Sequence, residues 1–300
     1  MTIYYKNRNN DTIHEENIAG IKYLKWLTES YSGKLTLKYI VKKKLFSILY
    51  GKFQDTNLSK SKIKDFVNNF NIDMSEAQRE NISDYTNFND FFTRKLKKES
   101  REIIFDNSVL ISPADSKLMA YENINTDNMI QVKGSYYSLS ELLDDKDQAK
   151  NYNNGCCLIF RLCPTDYHRF HFPDSGEIGD VNKIKGEYFS VNPIILSNVP
   201  KVYCRNKRHI ATLKSDNFGN ISIIEVGATC VGTIIQTYKP HTKINRGDEK
   251  GYFKFGGSTV ILLLKENTVK IDDDIIKNSL EGIETQVYMG EKIGRKYDTL

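Results

Sequence analysis

The first third of the chain carries apolar residues at helical spacing. They recur every three or four residues in three segments, "NIAGIKYLKWLTES", "LTLKYIVKKKLFSILYGKF" and "SKSKIKDFVNNFNID". This period places the apolar side chains of each segment on one face of a helix. Lys38 and Lys42–Lys44 occupy much of the remaining surface of the second segment. The pattern therefore predicts a helical N-terminal region.

Two interpretations of these amphipathic helices stay open at this point. Amphipathic helices usually pack their apolar face on a core, with the lysines in solvent, and on frequency this interpretation is favoured. The same pattern also suits an anionic lipid surface, which attracts lysines beside aliphatic and aromatic side chains.

From about Val109 onward, short apolar or alternating runs are separated by Gly, Asn, Asp and Pro. The runs are "VLIS", "KLMAYENI", "GCCLIFRLC", "GEIGDVNKI", "HIATLK", "GNISIIEVGATCVGTIIQTY", "GYFKF" and "STVILLL". Runs of this length and texture predict a mainly antiparallel β domain, and "YSLSELL" predicts a short helical insertion. The fold class expected is therefore α+β, with N-terminal helices followed by an antiparallel sheet domain.

Composition narrows the class of protein. The 300 residues include 39% hydrophobic residues, 18 Gly and 6 Pro, which is enough apolar material for a core. The five cysteines are odd in number and form no C-x-x-C pair, so neither a disulfide framework nor a zinc site is expected. The net charge of +5 is compatible with an anionic membrane and diagnostic of no partner. We expect neither a secretory leader nor a membrane-spanning helix.

Two of the five histidines, His168 and His171, lie three residues apart in "CPTDYHRFHFP". On a helix this spacing could hold a metal, but Pro164 and Pro173 indicate a turn or an extended segment, and no third ligand is evident. A proton-transfer pair and a hydrogen-bonded structural pair are then equally good interpretations.

Asp115 in "LISPADSKLMA" and Ser258 in "KFGGSTVILLL" could complete a Ser-His-Asp hydrolase. A lone Asp after Pro is more often an Asx turn, and the G-x-S-x-G elbow is absent. Gly257 stands directly before the serine and has no Cβ, so its carbonyl is open to the next residue's hydroxyl. That favours attack on the chain itself over attack on an outside ester.

Six motifs together resemble the phosphatidylserine decarboxylase family of pyruvoyl enzymes. They follow the family's order from Phe88 to about Leu264, and a set in register is far more specific than any one of them. The motifs are "FNDFFTRKL", "SPADS", "PTDYHRFHFP", "GEYFSVNP", "EVGATCVGTI" and "FGGSTV".

The resemblance implies that the chain is a self-processing proenzyme. Ser258 would attack the carbonyl of Gly257, and the chain would separate into a β subunit, 1–257, and an α subunit, 258–300, held together without a covalent link. Ser258 would become a covalent pyruvoyl cofactor at the new N-terminus. The apolar run after it predicts a strand buried on both faces, which would anchor the α subunit.

The resemblance also implies roles for single residues. Asp115 would orient a histidine, His171 would act as base in self-cleavage, and His168 would serve the decarboxylation. Two positions depart from the common pattern, because Ser116 and Gly256 stand where relatives commonly have Gly and Leu. Neither departure removes a reacting group.

The implied reaction converts phosphatidylserine to phosphatidylethanolamine and CO₂. A lipid substrate shifts the weight toward the membrane-docking interpretation of the helices, so we expect residues 1–87 to form a membrane-associated region and 88–300 the catalytic domain. We expect a peripheral protein on the cytoplasmic face of the cell membrane, a homodimer at the family level, and no nucleic-acid partner. Arg169 and Lys185 are candidates for the phosphate. The predicted docking residues are Ile40, Lys42, Lys43, Lys44, Leu45, Phe46 and Leu49.

Three rival interpretations remain. A Ser-His-Asp hydrolase predicts an intact chain. A pyruvoyl decarboxylase could act on a different amine, such as a free amino acid, although lipid-binding helices argue against it. A membrane-binding β protein without activity would leave the pairing of "GGST" with "YHRFH" unexplained.

Overall fold

The computed structural model describes residues 3–132, 135–229, 233–256 and 258–297, and within them the fold is α+β, as the sequence predicts. The strands of these ranges are β1 (Tyr4–Asn7), β2 (Thr12–Glu15), β3 (Val109–Ile111), β4 (Ser116–Tyr121), β5 (Met129–Val132), β6 (Ser135–Tyr137), β7 (Cys156–Leu162), β8 (Arg169–His171), β9 (Gly176–Ile178), β10 (Asn182–Ile184), β11 (Arg208–Ser215), β12 (Gly219–Val226), β13 (Ile234–Gln236), β14 (Thr242–Ile244), β15 (Glu249–Phe253), β16 (Ser258–Leu264), β17 (Val269–Ile271), β18 (Glu284–Val287) and β19 (Lys292–Lys296).

The helices are concentrated in the first third of the chain, where the 3.6-residue apolar period predicts them. The α-helices are α1 (Ile21–Glu29), α2 (Tyr31–Thr36), α3 (Lys44–Gln54), α4 (Ser61–Phe70), α5 (Phe88–Phe92), α6 (Leu139–Leu143), α7 (Lys146–Lys150), α8 (Pro193–Leu196), α9 (Val202–Arg205) and α10 (Asp273–Leu280). A π-helical turn, Leu37–Val41, follows α2 directly. The predicted insertion is α6, where Ser138 and Glu141 form a capping box.

The N-terminal residues before α1 form a β-hairpin that the apolar pattern does not indicate. Strand β1 pairs antiparallel with β2 and parallel with β18, so the hairpin extends the main sheet. Each strand of the hairpin has only four residues, and β2 is exposed throughout. Its register is therefore set by β18, more than 250 residues away, and not by its own alternation. The division at residue 87 stays a prediction.

The main sheet holds eleven strands of the described residues in the order β14-β9-β11-β12-β16-β7-β4-β18-β1-β2, with β10 paired to β11. Except for the β1–β18 pair, its neighbours run antiparallel. Two three-stranded sheets, β13-β15-β8 and β17-β19-β3, and the β5–β6 pair complete the β structure of these ranges.

Strand β16 lies in the middle of the main sheet and is buried on both faces, as its unbroken apolar run predicts. It pairs with β12 on one side and with β7 on the other, and all seven of its residues are buried. Alternate side chains enter different cores, because successive residues of a strand point to opposite faces. Val260, Leu262 and Leu264 enter one core, and Ile261 and Leu263 enter the other.

A buried ion pair joins the main sheet to the small sheet that carries His171. Lys250 of β15 donates to Glu225 of β12 at 2.6 Å and to Gln236 of β13 at 2.9 Å, and Gln236 donates to Glu225 at 2.9 Å. Both charged side chains have 0% exposure. Burial lowers the pKa of Lys250 and raises that of Glu225, and their attraction opposes both shifts. The pair is thus the polar link between two sheets.

Removing one member of this pair should destabilise the fold strongly. Glu225→Leu leaves Lys250 buried without its counter-charge, which costs about 3–5 kcal/mol of the free energy of unfolding. Urea denaturation followed by tryptophan fluorescence measures the change. Glu225→Leu combined with Lys250→Met should recover most of it, and Asp147→Ala in the exposed Lys150–Asp147 pair should leave the midpoint unchanged. Equal midpoints for Glu225→Leu and the wild type would contradict the assignment.

Candidate active site

Ser258 is the first residue of β16 and lies opposite Leu162, the last residue of β7. Its side chain is fully buried, and its hydroxyl has no hydrogen-bond partner among the described residues. A buried polar group without a partner costs stability and calls for an explanation in function or in an unseen neighbour. Gly257, the other half of the predicted scissile bond, lies outside the described residues.

The segment before the predicted cleavage site is held on helix α5. The backbone N–H of Phe255 donates to the Asn89 side chain at 2.8 Å. The Phe255 ring packs edge-on against Phe88 and Phe92, with ring centroids 4.9 and 5.1 Å apart. Gly256 adopts φ 133°, a conformation that favours glycine over any residue with a Cβ. The turn into β16 is therefore fixed from its N-terminal side.

His168 is completely buried and stacks on Phe92 with ring centroids 3.9 Å apart. Its Nε2 donates to the Cys163 carbonyl at 2.9 Å, which leaves Nδ1 as the unprotonated nitrogen, without a partner among the described residues. Burial, reinforced by the charge of Arg94, lowers the pKa of His168 to about 3. The ring is therefore neutral near pH 7, with a lone pair available to accept a proton.

His168 and Ser258 adjoin the same end of β7. Leu162 pairs with Ser258 across the sheet, and the next residue, Cys163, accepts the hydrogen bond from His168. Phe92 links the two sides a second time, because it contacts both the His168 ring and the Phe255 ring. The fold thus gathers one unpartnered hydroxyl and one unpartnered ring nitrogen around the end of one strand.

His171 lies at the end of β8 with both ring nitrogens occupied. Its Nδ1 donates to the Gly247 carbonyl at 2.9 Å, and its Nε2 accepts from the Tyr167 hydroxyl at 3.2 Å. Burial lowers the pKa of His171, so this ring is also neutral near pH 7. Tyr167 directly precedes His168 and connects the two histidines along the chain.

Asp115 lies in the turn between β3 and β4 and is bound by Arg101. The guanidinium donates to its carboxylate through Nε at 3.0 Å and Nη2 at 2.6 Å, and the Met289 backbone N–H adds a third donor at 2.9 Å. No hydrogen bond among the described residues joins Asp115 to a histidine, although its charge raises the pKa of His171 and so opposes the effect of burial. Its orienting role stays a prediction.

The sequence does not predict two residues that contact the site, Arg101, which binds Asp115, and Asn89, which binds the Phe255 backbone. Arg101 lies in the irregular stretch between α5 and β3, where neither periodicity nor a motif marks it. Asn89 stands inside "FNDFFTRKL", but the motif alone gives it no partner. Of the two phosphate candidates, Arg169 pairs with Glu249 at 2.8 Å, and Lys185 is exposed.

A cavity of about 720 Å³ lies between the N-terminal helices and the predicted cleavage site. Apolar side chains of α1, α3 and α4 form one wall, including Leu24, Phe46 and Phe66. Phe255 and Gly256, next to Gly257, line the cavity as well, together with Leu162–Pro164 from the end of β7. The cavity therefore reaches from the helices to the flanks of the candidate reacting bond.

The predicted docking residues do not share one environment. Ile40, Leu45 and Leu49 are exposed by 53%, 67% and 60%, although they are aliphatic. Phe46, by contrast, is half-buried. Its ring packs on Tyr50, and both residues line the cavity.

The three predicted docking lysines also differ. Lys42 pairs with Glu187 at 2.5 Å, and this contact holds it against the sheet domain. Lys43 is exposed, and the side chain of Lys44 lies outside the described part of the structure. The exposed predicted set is therefore Ile40, Lys43, Leu45 and Leu49, which we call the docking surface.

Comparison with known proteins gives one consistent family. The model of the family described as "Phosphatidylserine decarboxylase" matches residues 88–295. A protein of Clostridium botulinum (strain Langeland) named phosphatidylserine decarboxylase proenzyme is 56% identical over 98% of this chain and 99% of its own length. Proteins of the same name from Clostridium beijerinckii and Clostridium perfringens (strain SM101) are 56% and 54% identical, each over 97% of this chain and 98% of their own length.

The burial of His168 predicts a pH dependence of stability. In the folded chain its pKa is about 3, and in the unfolded chain it returns to about 6.5, so the unfolded state binds the proton between these values. The contribution of the neutral His168 ring to the free energy of unfolding is complete above pH 6.5 and is lost as pH falls toward 3. His168→Gln, which keeps a donor for Cys163 and cannot titrate, should lose less stability between pH 7 and pH 4.5. Urea midpoints measured at several pH values test this. If the midpoints of the variant and the wild type fall equally with pH, the prediction is contradicted.

Proposed function

Because the chain belongs to the phosphatidylserine decarboxylase family, we propose that it cuts itself between Gly257 and Ser258 and then converts phosphatidylserine to phosphatidylethanolamine and CO₂. The observation that carries the proposal is the Ser258 hydroxyl, which is buried at the head of a central strand without a hydrogen-bond partner among the described residues, at the strand end to which the neutral His168 also bonds. The contacts of Phe255 with α5 support it, because they hold the preceding residues while the bond reacts.

The self-cleavage uses only groups of the chain and one water molecule. Ser258 Oγ gives its proton to a base and attacks the Gly257 carbonyl carbon. The peptide C–N bond breaks as the base passes that proton to the leaving nitrogen, and an ester remains. Loss of the Ser258 α proton breaks the Cβ–O bond and releases the Gly257 carboxylate. The dehydroalanine left at position 258 tautomerises, and water hydrolyses it to a pyruvoyl group and ammonia. The serine oxygen thus leaves with the β subunit.

His171 is the proposed base of the first step. A base must be unprotonated to accept the Ser258 proton, and burial keeps this ring neutral. The Gly247 carbonyl fixes its tautomer by accepting from Nδ1, so Nε2 carries the lone pair, which in this structure accepts from the Tyr167 hydroxyl. The negative charge of Asp115 would stabilise the imidazolium that forms. Arg101 tempers that effect by binding the same carboxylate.

Ser258 suits a pyruvoyl group because the head of β16 is enclosed and no described residue forms a hydrogen bond with its hydroxyl. The residues that would hold the group are those paired around Ser258, namely Leu162 on β7 and Thr259 next along β16. When formed, a pyruvoyl group supplies an electron-withdrawing carbonyl that delocalises the charge left by loss of CO₂. His168 is proposed to give a proton to the carbon atom that has lost CO₂. The enclosure that buries His168 excludes water from the site.

The cavity favours a lipid over a soluble amine as the substrate. Its apolar wall of helical side chains provides space of about 720 Å³ next to the reacting bond, and apolar pockets bind apolar groups. A free amino acid would leave this wall without a ligand. We therefore propose that acyl chains of phosphatidylserine occupy the helical end of the cavity.

The docking surface supports a peripheral association with the membrane. Three exposed aliphatic side chains on neighbouring turns are unusual for a solvated face and suit the lipid interface. No helix in the described ranges has the length and apolar character to span a bilayer. We propose that the protein binds the cytoplasmic leaflet through this surface. A homodimer stays a family-level prediction.

Ser258 should be essential for cleavage, and its neighbour should not. The wild type should separate on a denaturing gel into fragments of residues 1–257 and 258–300, whereas Ser258→Ala should stay full length because it lacks the attacking oxygen. Thr259→Val is the matched control for cleavage, since the Thr259 hydroxyl is also buried and has no hydrogen-bond partner among the described residues, but it lies one residue past the bond. Cleavage of Ser258→Ala would contradict the mechanism, and an intact wild type would contradict it and favour the hydrolase alternative.

The docking surface should govern binding to lipid vesicles. Changing Ile40, Leu45 and Leu49 to Ser together removes apolar area that would enter the interface, so the vesicle partition coefficient should fall by about tenfold or more. Flotation with vesicles containing anionic lipid measures it, and added salt should weaken wild-type binding through Lys43. Leu280→Ser, at an even more exposed leucine on α10, is the control. Unchanged flotation of the triple variant contradicts the proposal.

A further inference from the structure

Arg94 is a buried cation with no anionic partner among the described residues. Its side chain is 6% exposed, and its Nε has no hydrogen-bond partner. The other buried arginines of this part of the chain are satisfied. Arg161 and Arg246 form ion pairs with carboxylates, and Arg208 donates to backbone carbonyls. Arg94 thus differs from every comparable side chain in the described structure.

An unpaired buried charge destabilises a fold, so its presence indicates a partner that arrives later. The nearest ring, Phe91, lies 5.1 Å from the guanidinium carbon, which is a weak substitute for a carboxylate. Burial lowers the pKa of Arg94, but an arginine side chain stays charged in proteins. The site is therefore ready for an oxyanion.

Arg94 is fixed beside the catalytic histidine. It follows α5 by two residues, and Phe92 at the end of that helix stacks on His168 at 3.9 Å. The intervening Thr93 carbonyl accepts from the Arg169 side chain at 2.9 Å, which ties this segment to β8. The Arg94 charge also acts on His168, because it contributes to the lowering of that histidine's pKa.

Phosphatidylserine brings two oxyanions, a carboxylate and a phosphodiester. The carboxylate must leave as CO₂, and a guanidinium bound to it would stabilise the ground state more than the transition state. The phosphodiester keeps its charge in substrate and product, and a guanidinium matches its two free oxygens. We propose that Arg94 binds the phosphodiester of the phospholipid headgroup in the cleaved enzyme; this inference rests on the proposed decarboxylase function.

The inference gives His168 a way to become a proton donor. A bound phosphodiester neutralises the repulsion that Arg94 exerts on a protonated His168. Headgroup binding therefore raises the pKa of His168 and favours a proton at Nδ1, while burial, the larger cause of the low pKa, continues to act. Headgroup binding and proton delivery are thereby coupled through one arginine.

The test measures headgroup affinity in the self-cleaved enzyme. Titration calorimetry with dihexanoyl phosphatidylethanolamine gives a Kd that does not depend on catalysis, and this lipid carries the phosphodiester without the carboxylate. Arg94→Gln should raise this Kd about ten- to a hundredfold, as expected for loss of a charged hydrogen bond. Arg94→Lys keeps the positive charge but lacks the paired N–H donors of the guanidinium, so it should raise the Kd less than Arg94→Gln does. With dihexanoyl phosphatidylserine, KM should rise by the same factor and kcat should change less.

The control is Arg79→Gln, at an exposed arginine that pairs with Asp90, and it should keep the wild-type Kd. An unchanged Kd for phosphatidylethanolamine in both Arg94 variants overturns the inference. Weaker binding of phosphatidylserine alone also overturns it, because the carboxylate is then the partner. If Arg94→Gln does not mature, the Kd of Arg94→Lys decides. A wild type that stays uncut or leaves phosphatidylserine unchanged contradicts the proposed function instead.

Discussion

In the proposed mechanism, strand β16 has to remain in place after the peptide bond at its head is broken, and the sheet pairing around it meets that constraint. Its backbone pairs with β7 and β12, and its alternate side chains enter two separate cores. Each buried aliphatic side chain contributes about 1.5–3 kcal/mol. Residues after it supply β18 to the main sheet and pair β17 and β19 with each other, with β19 also bound to β3. The proposed fragment 258–300 is thus interleaved with residues 1–257, so its strands could hold it after cleavage without a covalent link.

The same burial sets the chemistry at the head of the strand. Excluding water keeps His168 and His171 neutral near pH 7, because burial lowers the pKa of both rings. It also makes every charge expensive, which explains why Asp115 is bound by Arg101 and Glu225 by Lys250. Arg94 is the exception among the buried arginines of the described residues, because neither a carboxylate nor a carbonyl pairs with it, and it acts on His168, the histidine proposed to change its protonation state. Electrostatics and scission therefore depend on one enclosed region.

The sequence predicts the elements well and their contacts less well. The 3.6-residue period of the first third gives α1, α3 and α4, and the unbroken run after Ser258 gives a doubly buried strand, because burial of apolar surface sets both patterns. The sequence does not predict the β1–β2 hairpin, because strands of four residues carry too little pattern and β1 is held by its distant partner β18. The motifs identify His168, His171, Asp115 and Ser258, but they do not reveal that Arg101 takes the Asp115 carboxylate. The sequence also does not predict that Phe46 lines the cavity, because the packing of a helix on its neighbours decides which of its apolar side chains stay exposed.

The central claim is that Ser258 becomes the carbonyl group of the enzyme by cutting the chain in front of it. Intact mass spectrometry of the purified protein under denaturing conditions tests it most directly, because mass reports both the cut and the chemistry at the new end. The account predicts a fragment of residues 258–300 that is lighter than its serine-started form by one ammonia, together with a fragment of residues 1–257 ending in a free carboxylate. A single full-length mass, or a small fragment that still begins with serine, would contradict it.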